Sequence, residues 1–267
     1  MIIDAHCHVW PDEIARTILS SRPAGLDPIH DGTLDGLRRT MDLAGIDMAL
    51  TLAVANSGKN VRRTNEFIGR VDRTRFVPFG TVHPDLSVEE NLSALDDNGV
   101  VGVKLHTLFQ SVAFSDQRTR EILIALAEND IPVLSHVGSG GEEEQNERGA
   151  PRSLNAMMSD IPNLRLIAAH YGGYKVLDEA EKWSVGINVY LETSWPPSMG
   201  VLAPERVKSI IRRHGADRVV YGSDWPMTDP ATEIAAIRAL ELGADEETGI
   251  LGGNLMRLLK LSSPPGR

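Results

Sequence analysis

Two histidines, His6 and His8, end the short apolar run that opens the chain. Side chains at positions i and i+2 of a β-strand lie on the same face, so a strand that ends in His-x-His presents two imidazole nitrogens side by side. Such a pair is half of a metal site. Paired histidines also serve as ordinary hydrogen-bonding groups, so the pair alone does not decide between the two interpretations.

Further polar residues follow short apolar runs of the kind that form buried strands. The runs cover residues 76–82, 100–105, 131–135, 164–169 and 219–223, and the residues that follow them are His83, His106, His136, His170 and Asp224. Each of these side chains is therefore predicted to lie where a strand ends.

Strand patterns alternate with amphipathic helical patterns along the chain. The predicted strands cover residues 1–6, 47–54, 76–82, 102–106, 132–136, 164–170, 187–193 and 218–221. The predicted helices cover residues 33–44, 59–71, 87–98, 116–129, 152–160, 174–183, 204–214, 230–240 and 246–261. The longest stretches with little pattern are residues 9–32 and 137–151.

Eight βα units in a chain of 267 residues predict an α/β protein, namely a (β/α)8 TIM barrel. We expect one domain over residues 1–261 and a flexible tail at 262–267. A doubly wound open sheet is the alternative. It is disfavoured because no Gly-x-Gly-x-x-Gly follows the first strand.

A parallel barrel gives the histidine pattern a geometric meaning. The carboxyl ends of all its strands share one rim, where barrel enzymes keep their chemistry. The side chains predicted to meet there are His6, His8, His136, His170 and Asp224. Three imidazoles and a carboxylate, with one position left for water, suit Zn2+ best, and Mn, Fe, Ni or Co also fit such a set.

Four motifs carry a resemblance to a known family. They are Ile3-Asp-Ala-His-Cys-His8, His136, Ala168-Ala-His-Tyr-Gly-Gly173 and Tyr221-Gly-Ser-Asp-Trp-Pro226. In this order they resemble the amidohydrolase superfamily, most closely its amidohydrolase-2 branch, which includes aminocarboxymuconate-semialdehyde decarboxylase and related hydrolases and lactonases. The resemblance implies a (β/α)8 barrel with a catalytic metal held by His6, His8, His136 and Asp224, and with His170 beside the metal's water. It identifies no substrate.

The expected chemistry is activation of water by the metal, since a divalent cation lowers the pKa of bound water from about 16 towards about 7. Asp224 would ligate the metal and accept the proton, and His170 would orient the water or polarise the substrate carbonyl. We expect a hydrolase of an amide, lactone or ester of a small, carboxylate-bearing molecule. Nonoxidative decarboxylation on the same site is the alternative, and a noncatalytic metal-binding barrel is a second one.

Lys104 and His106 are the predicted substrate-binding residues. They stand at i and i+2 of the fourth strand, so they share a face. If Lys104 points into the barrel, it anchors a substrate carboxylate or, once carboxylated, bridges a second metal; otherwise one metal is expected and the lysine reaches solvent. His106 either contacts substrate or is a packed, hydrogen-bonded histidine.

Three further residues have open roles. Asp4 alternates inward beneath His6 and is either a residue that orients the ligands or a buried carboxylate bonded to backbone. Cys7 points to the other face of the first strand and is expected to be a small buried residue. His30 lies in a loop and is expected to be solvated.

Composition excludes several classes of partner. The formal net charge of -10 argues against nucleic acid, because phosphate binding needs clustered Lys and Arg. Cys7 is the only cysteine, so no intramolecular disulfide is possible and a reducing, cytoplasmic location is expected. No stretch of eighteen apolar residues and no leader pattern occur, so no membrane association is expected. The expected partner is a small-molecule substrate, and a homodimer is compatible with the sequence.

Overall fold

The computed structural model describes residues 1–21 and 27–261, so the tail predicted at 262–267 lies outside the described residues. The strands are β1 (Ile3–His8), β2 (Met48–Leu52), β3 (Phe76–Gly80), β4 (Gly102–Leu105), β5 (Val133–Ser135), β6 (Leu166–Ala168), β7 (Tyr190–Glu192) and β8 (Val219–Val220). All eight predicted strands are confirmed, and most are shorter than predicted.

The helices alternate with these strands. They are α1 (Asp12–Ser20), α2 (Leu34–Ala44), α3 (Gly58–Gly69), α4 (Val88–Asp96), α5 (Gln117–Glu128), α6 (Glu143–Asn146), α7 (Pro151–Asp160), α8 (Leu177–Trp183), α9 (Pro204–His214), α10 (Pro230–Arg238), α11 (Ala244–Thr248) and α12 (Asn254–Leu259). Among the described residues, no helix is both long enough and apolar enough to cross a membrane.

The strands form one sheet in the order β1 to β8. Pairs such as Leu134 with Ile167 are in parallel register. The first strand also bonds to the last: the Ala5 N–H donates to the Tyr221 carbonyl at 2.9 Å, and Trp225 N–H donates to the His6 carbonyl at 3.0 Å. A sheet of parallel neighbours whose first and last strands are joined is a (β/α)8 barrel, so the predicted fold is confirmed and the open sheet is excluded.

Helix ends follow the local signals in the sequence. The Thr33 hydroxyl accepts a hydrogen bond from the Gly36 N–H at 3.0 Å and caps α2, which ends at Gly45 with a φ of 70°. Ser87 and Glu90 form a reciprocal capping box at the start of α4. These contacts satisfy amide groups that a helix start leaves without partners, which is why both helices begin as predicted.

Three predictions of local structure were wrong. Residues 9–32 were predicted to have little structure, yet they contain α1, whose amphipathic pattern buries Ala15 and Leu19. The stretch 137–151 contains the short helix α6. The helix predicted over 246–261 is divided by a π-helical segment at Gly249–Gly253, where three glycines weaken the regular helix.

The chain divides into two compact units. The first comprises Met1–Thr51, Asp72–Val77 and the chain from Thr193 onward, and the second comprises Leu52–Val71 and Pro78–Glu192. Each has its own buried apolar side chains, for example Ile3, Leu37 and Val220 in the first and Phe79, Val103 and Ile167 in the second. The single domain over 1–261 stays a prediction.

Candidate active site

Three side chains of the types that can ligate a metal lie close together in the first unit. The Nε2 atoms of His6 and His8 are 3.2 Å apart. The Asp224 carboxylate oxygen Oδ1 lies 3.3 Å from Nε2 of His6 and 3.6 Å from Nε2 of His8. Both histidines are buried, and the Asp224 side chain is 13% exposed. We call His6, His8 and Asp224 the ligand trio.

The geometry of the ligand trio fits a divalent cation. Metal–ligand distances of about 2.0–2.1 Å in a tetrahedral site separate neighbouring ligand atoms by about 3.3–3.4 Å. The three separations in the trio, 3.2, 3.3 and 3.6 Å, lie close to that value. Two imidazole nitrogens and one carboxylate oxygen are also the donor types that Zn2+ and other borderline cations accept.

The backbone at Asp224 has an uncommon conformation and is bonded to β1 through its neighbour. Asp224 has a φ of 61°, a left-handed conformation that is uncommon outside glycine. Its neighbour Trp225 is fully buried and donates its backbone N–H to the His6 carbonyl. The ring of His6 is supported on its other side, where Nδ1 lies 3.4 Å from the Ser194 hydroxyl. Such outer contacts set the orientation of ligand rings.

Asp4 and Cys7 flank His6 on β1. Asp4 is fully buried, and its carboxylate accepts hydrogen bonds from the backbone N–H of His6 and from Ser223. Asp4 is therefore a buried carboxylate bonded to backbone, one of the two roles expected for it, and its role in orienting the ligands stays a prediction. Cys7 is buried and unpaired by disulfide, as predicted. Burial, assisted by the nearby Asp4 carboxylate, raises the pKa of the Cys7 thiol well above its usual value, so it stays a neutral thiol.

A second histidine cluster lies in the second unit, just after β4, β5 and β6. Nδ1 of His136 is 3.2 Å from Nε2 of His170. The ring of His106 stacks on that of His136, with centroids 4.5 Å apart and an interplanar angle of 5°. Tyr174 lies beside His170, with ring centroids 5.1 Å apart. Polar groups predicted at three strand ends thus meet in this unit.

His136 has the protonation state that a metal ligand requires. The pKa of His136 is lowered to about 3, mainly by burial and to a smaller extent by the positive charge of Lys104. The ring is therefore neutral at neutral pH and keeps one nitrogen lone pair. Its Nε2 atom is buried and makes no hydrogen bond within residues 1–21 and 27–261, so the ring has unused bonding capacity.

The predicted substrate-binding residues are both buried. Lys104 is completely inaccessible to solvent, so the alternative in which this lysine reaches solvent is wrong. His106 stacks on Phe109 as well as on His136, and its backbone N–H donates to the side-chain oxygen of Gln110 at 2.8 Å. His106 is thus a packed histidine, and its contact with substrate stays a prediction.

His170 is held by a residue that the sequence analysis missed. Its φ is 60° and that of Tyr171 is 53°, so both residues have the left-handed backbone that non-glycine residues rarely adopt. The His170 N–H lies 3.3 Å from Oε2 of Glu192, a fully buried carboxylate at the end of β7. An acidic residue inside an otherwise apolar strand was the signal that could have revealed Glu192.

His30 differs from its predicted solvated role. Its ring stacks on Trp225, with centroids 5.7 Å apart, and burial lowers its pKa. The backbone N–H groups of Ile29 and His30 also donate to the Pro226 carbonyl. This loop therefore packs against the segment that follows Asp224.

A family model described as Amidohydrolase matches residues 3–261. The chain belongs to the amidohydrolase family. The resemblance noted in the four sequence motifs is therefore confirmed across almost the whole chain. No curated protein sequence matches this amidohydrolase.

Solved structures share the fold of this amidohydrolase. An uncharacterized TIM-barrel protein from Bordetella bronchiseptica is 20% identical, with a TM-score of 0.72 over 97% of this chain and 98% of that chain. The 5-carboxyvanillate decarboxylase from Sphingomonas paucimobilis is 16% identical, with a TM-score of 0.73 over 98% and 99%. A dihydroxybenzoic acid decarboxylase from Polaromonas sp. JS666, with bound manganese and 2-nitroresorcinol, is 18% identical, with a TM-score of 0.75 over 97% and 96%.

Proposed function

We propose that this amidohydrolase uses a divalent cation to hydrolyse an amide, lactone or ester of a small, carboxylate-bearing molecule. The observation that carries the proposal is the ligand trio, whose three donor atoms lie 3.2 to 3.6 Å apart in buried surroundings. His136 is proposed as a further ligand because it is neutral and follows β5, and parallel barrel strands end at one rim. Zinc or manganese is the proposed cation, and bound manganese in the Polaromonas decarboxylase supports the latter.

The proposed roles of the side chains follow from their chemistry. A bound cation lowers the pKa of a coordinated water and polarises a carbonyl group. The Asp224 carboxylate accepts the proton from the attacking water, and its 13% exposure lets it exchange protons with solvent. The proton then goes to the leaving group. His170 orients the water or donates to the substrate carbonyl, and Glu192 holds the His170 backbone.

Lys104 and His106 are proposed to bind the substrate's carboxylate. Lys104 supplies a buried positive charge whose field already reaches the His136 ring. His106 stacks on the same ring, so both groups accompany one proposed ligand. A substrate carboxylate would form a charge-assisted hydrogen bond with the Lys104 ammonium.

Nonoxidative decarboxylation is the second candidate function. Two proteins that share this fold over almost their whole length are decarboxylases of aromatic carboxylic acids, and this observation favours it. The same residues would serve: a protonated side chain would deliver a proton to the ring carbon while carbon dioxide leaves. His170 and Asp224 are the proposed proton carriers for that reaction as well.

Isotope labelling separates the two reactions. The purified protein is analysed for metal and then incubated in H2(18)O with lactones, amides, esters and hydroxylated aromatic acids. Hydrolysis transfers (18)O into a product carboxylate, whereas decarboxylation releases carbon dioxide. His170→Asn is the matched variant, and we expect it to keep the metal and lose turnover. Stoichiometric metal without turnover of any substrate class would favour the noncatalytic barrel, and a wild-type protein that binds no cation would refute the proposal.

A further inference from the structure

Asp4 is a buried carboxylate that is not among the proposed metal ligands. It lies on β1 two residues before His6, and its side chain is completely inaccessible to solvent. Oδ1 accepts hydrogen bonds from the backbone N–H of His6 at 2.9 Å and of Ser223 at 3.0 Å. Oδ2 accepts one from the Ser223 hydroxyl at 2.6 Å. One carboxylate therefore joins the backbone beside two members of the ligand trio.

Further hydrogen bonds of Ser223 hold the backbone on both sides of Asp224. The Ser223 hydroxyl oxygen accepts a hydrogen bond from the backbone N–H of Trp225 at 3.1 Å. The Thr228 hydroxyl donates to the Ser223 carbonyl. Asp224 stands between Ser223 and Trp225 with a φ of 61°. Left-handed backbone in a non-glycine residue persists only where its surroundings hold it, and here both neighbours of Asp224 are bonded to one network.

We propose that Asp4, acting through Ser223, is a positioning residue that sets the separation between the β1 histidines and Asp224. The proposal rests on the proposed function, because the cation is what the ligand trio would hold. Both Asp4 oxygens are acceptors, because the three donor groups on His6 and Ser223 are joined by the Cys7 thiol, which also hydrogen-bonds to the Asp4 side chain. Asparagine would present an NH2 group where the Ser223 hydroxyl now donates, so that hydroxyl, which already accepts from the Trp225 N–H, would have to rotate and accept a second hydrogen bond, and the charge-assisted contact that holds the Asp224 turn would be lost.

The chain offers a matched control. Glu233, at the start of α10, is also buried and lies in the same unit. Its carboxylate accepts hydrogen bonds from the Ser198 hydroxyl at 2.6 Å and from the Met199 N–H at 2.9 Å. Glu233→Gln thus removes a buried negative charge that accepts hydrogen bonds from a hydroxyl and from backbone, as Asp4→Asn does, but these two donors, Ser198 and Met199, lie outside the ligand trio and its neighbours in sequence.

The test measures cation affinity separately from stability. Affinities of wild type, Asp4→Asn, Ser223→Ala and Glu233→Gln for Zn2+ and Co2+ are obtained by competition with a chelator, and the visible spectrum of bound Co2+ reports its coordination. Unfolding midpoints are measured in excess chelator. We expect Asp4→Asn to bind roughly 10- to 100-fold more weakly than wild type, with an altered cobalt spectrum. Glu233→Gln is expected to bind like wild type.

Two results would overturn the proposal. One is an Asp4→Asn affinity within twofold of wild type, and the other is an equal loss in Glu233→Gln, which would assign the effect to general destabilisation. If Asp4→Asn does not fold, Ser223→Ala decides by the same criteria. A wild-type protein that binds neither cation would refute the proposed function, whereas binding by wild type and undiminished binding by the variants would refute only the role of Asp4.

Discussion

Removal of divalent cations is expected to lower the thermal unfolding midpoint by about 5 °C. A ligand present at 100 times its dissociation constant stabilises the folded state by about 2.7 kcal/mol. At about 2.1 cal/mol/K per residue, the unfolding entropy of a chain of 267 residues is about 0.56 kcal/mol/K. Dividing the stabilisation free energy of about 2.7 kcal/mol by this entropy gives the expected shift of the midpoint. Little rearrangement opposes binding, because the donor atoms of the ligand trio are within about 0.3 Å of tetrahedral spacing.

Differential scanning calorimetry checks this prediction. The midpoint is measured in chelator and then with Mn2+ or Zn2+ added in excess. His8→Gln removes one member of the trio and is expected to abolish most of the shift. His214→Gln is the matched control, because His214 is also a buried histidine, at the end of α9, and the cation-dependent shift should persist in it. Equal midpoints with and without cations in wild type, or an equal shift in His8→Gln, would refute the reasoning.

Three further outcomes are expected. His170→Asn should lower turnover by at least about 100-fold while metal content is unchanged, and retained turnover would exclude a catalytic role. Gly138→Ala should destabilise the protein by at least about 2 kcal/mol in urea unfolding, because Gly138 has a φ of 108° and a Cβ there would lie 2.3 Å from the Tyr174 nitrogen; a loss under about 0.5 kcal/mol would contradict this. Burial lowers the pKa of His30 from 6.5, so the folded state disfavours the protonated ring. As the pH falls below 6.5, the unfolded chain binds this proton more readily than the folded protein does, and the free energy of unfolding decreases. His30→Gln should therefore lose less stability than wild type between pH 6.5 and 5 in chemical unfolding, and parallel pH profiles would contradict the prediction.

Much of the fold was predictable because its signals are local. Apolar runs ended by polar or turn residues predicted all eight strands, and Thr33 and Ser87 predicted the starts of two helices. Strand lengths were less predictable. His136 and His170 lie just beyond β5 and β6, because the chain leaves the sheet ladder there and His170 enters a 3-10 turn with a positive φ. Hydropathy does not encode that change of direction.

The contacts that orient the candidate site were not predictable. Asp4 had two possible roles in sequence, and its bonds to Ser223, 219 positions away, are contacts that strand alternation cannot reveal. Strand alternation allowed Lys104 to face inward, but its complete burial depends on neighbours from other strands. Glu192 was overlooked because it is a single acidic residue in an apolar strand and forms no recognisable motif with other residues. Its contact with His170 is visible only in the structure.

The ligand trio can form only once β1 and the segment that follows β8 are joined by their hydrogen bonds. His6 and His8 belong to β1, whereas Asp224 is synthesised only after β8 has been made. During synthesis the two histidines therefore lack their carboxylate partner until all eight strands are available. Binding of a cation by these three groups would thus report that β1 and the segment after β8 have come together, and a product truncated before β8 would lack the complete trio.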